Sequence, residues 1–190
     1  MISIIDYKVG NIFNVRNALK YLGFESEVIN KKNEIKNAKA IILPGVGAFD
    51  DAIKQLKKDD IYHDLKAKIL NGVPTLGICL GMQVLAKSSQ EGLEQGLGVI
   101  DTVVEKFCSK EGIVPHMGWN KVDYNNTESA FYYFIHSFYL PITDYTVGFT
   151  NYITNFSAVI KKNNLLATQF HPEKSGVDGL KILKEFGDLV

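Results

Sequence analysis

Apolar positions along the first half of the chain follow two alternating rhythms. Residues 2–6 (ISIID) form a short apolar run of the kind found in strands buried on both faces. Ile12, Val15, Leu19 and Leu22 then fall three and four apart, which predicts a helix, with Asn11 placed to cap its start and Gly23 to stop it. The alternation continues. Residues 24–30 and 40–43 predict a second and a third strand, 50–70 one or two helices with Lys and Asp outward, and 73–78 a fourth strand. Strand and helix in alternation predict a parallel sheet covered on both faces, with ligands held beyond the carboxyl ends of its strands.

The second half changes rhythm. Residues 98–107, 121–124, 130–139, 145–153, 157–161 and 165–170 are aromatic and β-branched, and Asn163-Asn164 sits between the last two like a hairpin turn. A helix over 177–186 accounts for the remainder. No repeat, low-complexity stretch or Pro/Gly/Ser linker interrupts the chain, so one domain over residues 1–190 is expected. The fold class is thus α/β, a mainly parallel sheet with an added antiparallel portion in the second half.

Composition narrows the function. Lys plus Arg and Asp plus Glu both number 21, and Arg16 is the only arginine, so no basic footprint for nucleic acid is present. No apolar run is long enough for a membrane span and the first residues lack a signal-peptide pattern. Two cysteines, Cys79 and Cys108, cannot build a disulfide framework; the expectation is a cytoplasmic protein with reduced thiols.

Cys79 has an unusual setting. It lies in Gly77-Ile78-Cys79-Leu80-Gly81, where the fourth strand gives way to a helical pattern. A sharp strand-to-helix turn crowds its neighbours, hence small residues on both sides, and a helix amino terminus favours a thiolate. The same cysteine could equally be a small buried hydrophobe. A cysteine nucleophile needs a base held by a third group. Of four histidines, His63 fits a solvated helix, His116 a turn and His136 a packed strand, whereas His171 is followed by Pro172 and Glu173. Residues two apart in an extended segment face the same way, so Glu173 could hold one ring nitrogen while the other faces the thiol; His-Pro-Glu could also be a plain turn. For the oxyanion, Leu80 N–H and the backbone of Gly45 and Val46 are the natural donors. The glycines of Pro44-Gly45-Val46-Gly47 lack the third glycine of a dinucleotide loop, and the histidines and cysteines have no metal-ligand spacing, so neither a cofactor nor a metal is expected.

The segments PGVGAF (44–49), GICLGMQ (77–83) and QFHPEKS (169–175), in this order, resemble the class I, or triad, glutamine amidotransferases. DYKVGNIFNVRNAL (6–19), VPHMGWNKV (114–122) and YYFIHSFY (132–139) narrow the resemblance to the glutaminase subunits of imidazole glycerol phosphate synthase. The resemblance implies a flavodoxin-like domain in which Cys79, His171 and Glu173 form the triad. It places Gly47, Gln83, Ser137 and Phe138 around the substrate glutamine. It turns Asn11, Asn14, Trp119, Asn120 and Lys174 toward a separate, barrel-shaped cyclase of histidine biosynthesis, the partner in a heterodimer. Lys8 stands where the family usually has glycine, and Asn14 where it has serine. Paralogues that feed ammonia to sugar-modifying enzymes, and cysteine hydrolases or stress proteins of similar fold, are the alternative readings.

Overall fold

The computed structural model describes residues 1–8, 10–124 and 128–190. Val9, within the quoted segment 6–19, lies outside them. Strands β1 (Ile2–Ile5), β2 (Ser26–Ile29), β3 (Ile41–Leu43) and β4 (Thr75–Ile78) alternate with helices α1 (Ile12–Tyr21), α2 (Lys32–Asn37), α3 (Phe49–Lys58) and α4 (Tyr62–Leu70). After β4 come the one-turn helix α5 (Leu80–Gln83) and strands β5 (Ser88–Ser89), β6 (Val103–Lys106), β7 (His116–Tyr124), β8 (Ala130–His136) and β9 (Phe138–Tyr139). The chain closes with β10 (Thr146–Tyr152), β11 (Thr154–Lys162), β12 (Leu165–Thr168), a 3-10 turn at Pro172–Lys174 and helix α6 (Gly176–Gly187).

Among the described residues nine strands form one sheet in the order β2-β1-β3-β4-β12-β11-β10-β7-β8. From β2 to β12 neighbours run parallel, and from β12 onward antiparallel. Successive side chains point to opposite faces, so Ile5, Ile41, Leu43, Leu165 and Ala167 pack with α3 and α4 on one side. Ile4, Ile42, Leu76, Ile78 and Leu166 pack with α1 and α6 on the other. The strand order reverses between β1 and β3, and the carboxyl ends of β1, β3, β4 and β12 open on one crevice.

The expected helix over 12–22 is α1. Asn11 Oδ1 accepts the Asn14 N–H at 3.3 Å, and Gly23 stops the helix with a φ of +83°. The stretch 50–70 forms two helices, and β11 and β12 pair as a hairpin through Asn163 in the left-handed region. Four expectations are corrected. Helix α2 is absent from the pattern because Ile35 is its only buried residue; its start is held by Glu34, whose carboxylate accepts the N–H groups of Asn30 and Lys31, both at 3.0 Å. Only Val103–Lys106 of the run 98–107 is strand, since residues 96–100 bond back to the end of α5 and the segment after it. The aromatic run 130–139 breaks at Ser137 into β8 and β9. His116–Asn120 is not a turn but the first half of β7, where pairing with the aromatic β8 (His116 opposite His136, Trp119 opposite Tyr133) overrides the local Gly-Trp-Asn turn chemistry.

Candidate active site

Cys79 stands where β4 ends, with φ +53° and ψ −110°. Such a backbone costs a β-carbon-bearing residue on the order of 1–3 kcal/mol and persists only where its surroundings dictate it. They do. The Cys79 N–H donates to Thr168 O of β12 at 2.7 Å, and its carbonyl accepts from Met82 and Gln83 at 3.0 and 3.2 Å, so the chain turns from strand to helix in a single residue. A β-carbon on Gly81 would lie 1.8 Å from Leu43 O, and one on Gly77 2.9 Å from Gly81 O. The turn therefore closes only with glycine on both sides.

The other face of the elbow comes from the segment that follows β12. His171 and Glu173 are buried, their side chains 2% and 1% exposed, and His171 Nδ1 lies 2.9 Å from Glu173 Oε1. The pairing is as expected but its cause differs. Only His171 is extended; Glu173 is in the 3-10 turn, and the curl of that turn, not an i, i+2 strand relation, brings the carboxylate to the ring. Ser175, absent from the sequence-level candidates, pins the turn: its hydroxyl donates to His171 O at 2.6 Å and accepts the Tyr133 N–H at 3.0 Å. Burial alone would depress the imidazole. The charge of the Cys79 sulfur, followed by the Glu173 carboxylate, outweighs it and pushes His171 up to about 10. With Nδ1 committed to Glu173, Nε2 is the ring atom left for chemistry, and it is buried with no hydrogen-bond partner among the described residues.

A cavity of about 330 Å³ opens over Cys79, at the small end of the roughly 300–1,000 Å³ usual for small-molecule sites. Its walls include Val46, Gly47, Leu80, Gln83, Ser137 and Phe138. Seven expected residues thus converge on one space. Gly45 lies behind them against the elbow, where a β-carbon would meet Leu80 Cβ at 2.7 Å. Leu80 is the first residue of α5, so its N–H belongs to those a helix leaves without an internal acceptor. Tyr7, buried beside the cysteine, donates its hydroxyl to Pro44 O; burial, then the nearby sulfur, push the phenol strongly up, so it stays a neutral donor holding the 44–47 loop. Glu91, also missed at the sequence level, is the one carboxylate on the cavity wall among the described residues and accepts the Phe49 N–H at 2.8 Å with Oε2. An isolated acidic residue in a polar stretch carries no signal of such a place.

Of the five residues expected to face a partner, Trp119, Lys174 and Asn14 lie near the turn that carries Glu173. Trp119, 57% exposed, lies edge-on to Tyr133 at 6.3 Å, and the Lys174 ammonium sits 5.9 Å from the same ring. Asn14 shares a surface groove with Glu173, and Asn11 caps the start of α1. Asn120 is tied inward: its amide nitrogen is 3.2 Å from both His116 Nε2 and Asn151 O. Lys8, where the resemblance expects glycine, has a φ of +65° and is steadied by Asp6, which accepts from its N–H at 3.0 Å and its ammonium at 3.1 Å.

A family model described as glutamine amidotransferase class-I matches residues 3–188. This chain belongs to the class-I glutamine amidotransferases. Imidazole glycerol phosphate synthase subunit HisH of Caldanaerobacter subterraneus subsp. tengcongensis is 43% identical, over 100% of this chain and 98% of the relative. The protein of the same name from Bacteroides fragilis is 42% identical, over 99% of each chain, and that of Microcystis aeruginosa 40% identical, over 98% and 94%. Among solved structures, one titled crystal structure of glutamine amidotransferase superposes with a TM-score of 0.80 at 22% identity, covering 99% of this chain and 97% of that one. The structure of PurLQS from Thermotoga maritima gives 0.78 at 19% identity, with the same coverage. At these identities the likeness is one of fold.

Proposed function

We propose that this chain is the glutaminase subunit of an imidazole glycerol phosphate synthase, a single domain over 1–190 that hydrolyses glutamine and passes ammonia to a separate cyclase subunit in a cytoplasmic heterodimer. The relatives named above support the assignment. The observation that carries the chemistry is the buried His171–Glu173 pair beside a cysteine held at positive φ on the floor of a small cavity.

Glutamine binds with its side-chain amide over Cys79. Gly47 and the backbone at Ser137 and Phe138 surround it, and the Glu91 carboxylate faces its α-ammonium group. With the thiol proton already held on His171, the Cys79 thiolate forms a bond from Sγ to the amide carbon. The oxygen left negative is met by the Leu80 N–H and by backbone of Gly45 and Val46. The imidazolium, steadied by Glu173, returns the proton to the departing nitrogen, the C–N bond breaks and ammonia leaves a thioester. Water then attacks the thioester as His171 takes its proton; the C–S bond breaks, glutamate departs and the thiol is restored.

Ammonia released into neutral water is mostly protonated and no longer nucleophilic, which favours direct transfer to a partner seated over Trp119, Lys174 and the amino end of α1. A glutamine-analogue diazo-ketone tests this reading. Covalent labelling confined to Cys79 is expected, and Cys79→Ala should lower glutamate release at least about 10³-fold while keeping partner binding. Absence of labelling, or Cys79→Ala retaining glutaminase activity, overturns it.

A further inference from the structure

Gln169 is completely buried at the end of β12, two residues before His171, and neither the triad nor the substrate cavity has a use for it. Its side-chain amide nevertheless bridges two residues that do have one. Gln83 Nε2 lies 3.1 Å from Gln169 Oε1, and Gln169 Nε2 lies 3.6 Å from Cys79 Sγ. The direction of this chain is set at its far end. Phe138 O can only accept, and it takes a hydrogen bond from Gln83 Nε2 at 2.9 Å. That orients the Gln83 amide, so the Gln169 atom next to Gln83 Nε2 has to be the oxygen. Gln169 then has only its NH₂ group to turn toward the sulfur.

Two consequences follow from the chemistry of the amide. A buried N–H beside sulfur favours thiolate over thiol, as hydrogen bonds to an ionised group do. Gln83, with both amide protons engaged by Phe138 O and Gln169 Oε1, can meet the cavity only with its oxygen, so it accepts from a substrate N–H and cannot donate. We propose that Gln169 is a positioning residue of the glutaminase site, donating to the Cys79 sulfur and locking Gln83 as an acceptor toward the substrate. The proposal rests on the glutaminase reading of Cys79.

Alkylation of Cys79 by iodoacetamide across pH, followed by intact mass in a Cys108→Ser background, reads the thiol directly. Gln169→Met keeps the length and loses the donor; the apparent pKa of alkylation should rise by roughly one pH unit or more. Glutaminase kcat should fall about tenfold, with a several-fold rise in KM as Gln83 loses its lock. Gln169→Glu still accepts from Gln83 but brings a negative charge to the sulfur, so its alkylation profile should move further in the same direction. A residue serving only to fill space would change thermal stability and leave both profiles where they were, and that result in a folded variant overturns the proposal. The unmodified protein supplies a check that needs no substitution. The Gln169 side-chain NH₂ signals in nitrogen-15 NMR should titrate with the midpoint of Cys79 alkylation, and signals indifferent to that titration count against the bond. Failure of the wild type to react with the glutamine analogue, by contrast, strikes at the glutaminase reading and not at Gln169.

Discussion

The chain buries two histidine sites close together and gives them opposite character. At the elbow His171 is pushed up to about 10, because the Cys79 sulfur and the Glu173 carboxylate outweigh the burial that would lower it. Between β7 and β8 burial prevails: His116 falls to about 4 and His136 to about 3, the latter held down further by His116 and His171. The second pair makes neutral hydrogen bonds only. Asn120 donates to His116 Nε2, His116 Nδ1 donates to His136 Nε2 at 3.0 Å, and His136 Nδ1 donates to Phe138 O at 2.8 Å, one consistent set of tautomers ending on a carbonyl of the cavity wall. A dry environment alone thus makes a fixed, uncharged scaffold; a buried anion beside the ring makes a proton carrier.

Removing the anion should bring the first site toward the second. Glu173→Gln is expected to lower kcat for glutamate release about 10²–10³-fold while leaving the fold intact, with the imidazole titrating below its present position in a carbon-13 NMR titration. A variant with wild-type kcat would mean that Glu173 has no part in the chemistry.

A smaller effect separates the sites through stability. His116 and His136 have folded values below the ordinary one near 6.5, so the unfolded chain binds more protons in acid, and stability present above about pH 6.5 is lost as pH falls through about 4 and 3. His171 is raised, so its contribution is full below about 6.5 and is lost as pH rises through about 10. Urea melts across pH should show both flanks. His116→Leu should flatten the acid flank and cost about 2 kcal/mol at neutral pH, because it leaves the buried His136 Nε2 without its partner. An unchanged acid flank in that variant would remove the pair from the explanation.

The smallest effect on the isolated chain belongs to the exposed side. Trp119→Ala should change stability by no more than about 0.5 kcal/mol, yet weaken cyclase binding about tenfold in calorimetry. Equal binding by both proteins would place the interface elsewhere.

Much of this was legible in the residues, and the exceptions share a cause. The parallel half of the sheet follows from local rhythm, and the elbow from GICLG, because a one-residue turn leaves no freedom in its flanking positions. His171 and Glu173 are near in sequence, so their pairing needed no knowledge of the fold, although the turn joining them did. The His116–His136 contact depends on the register between β7 and β8, Gln169 on what lies opposite the end of β12, and Glu91 on which loop closes over α3. These are set by pairing across the sheet and not by any local pattern.

Glutamate release from glutamine, measured for the wild type and for Cys79→Ala with the histidine-pathway cyclase and its ribonucleotide substrate present, tests the assignment most directly. Strong stimulation of the wild type, abolished by the substitution, is the predicted result. Equal release by the two proteins would contradict a thioester at Cys79 and with it the function proposed for the site.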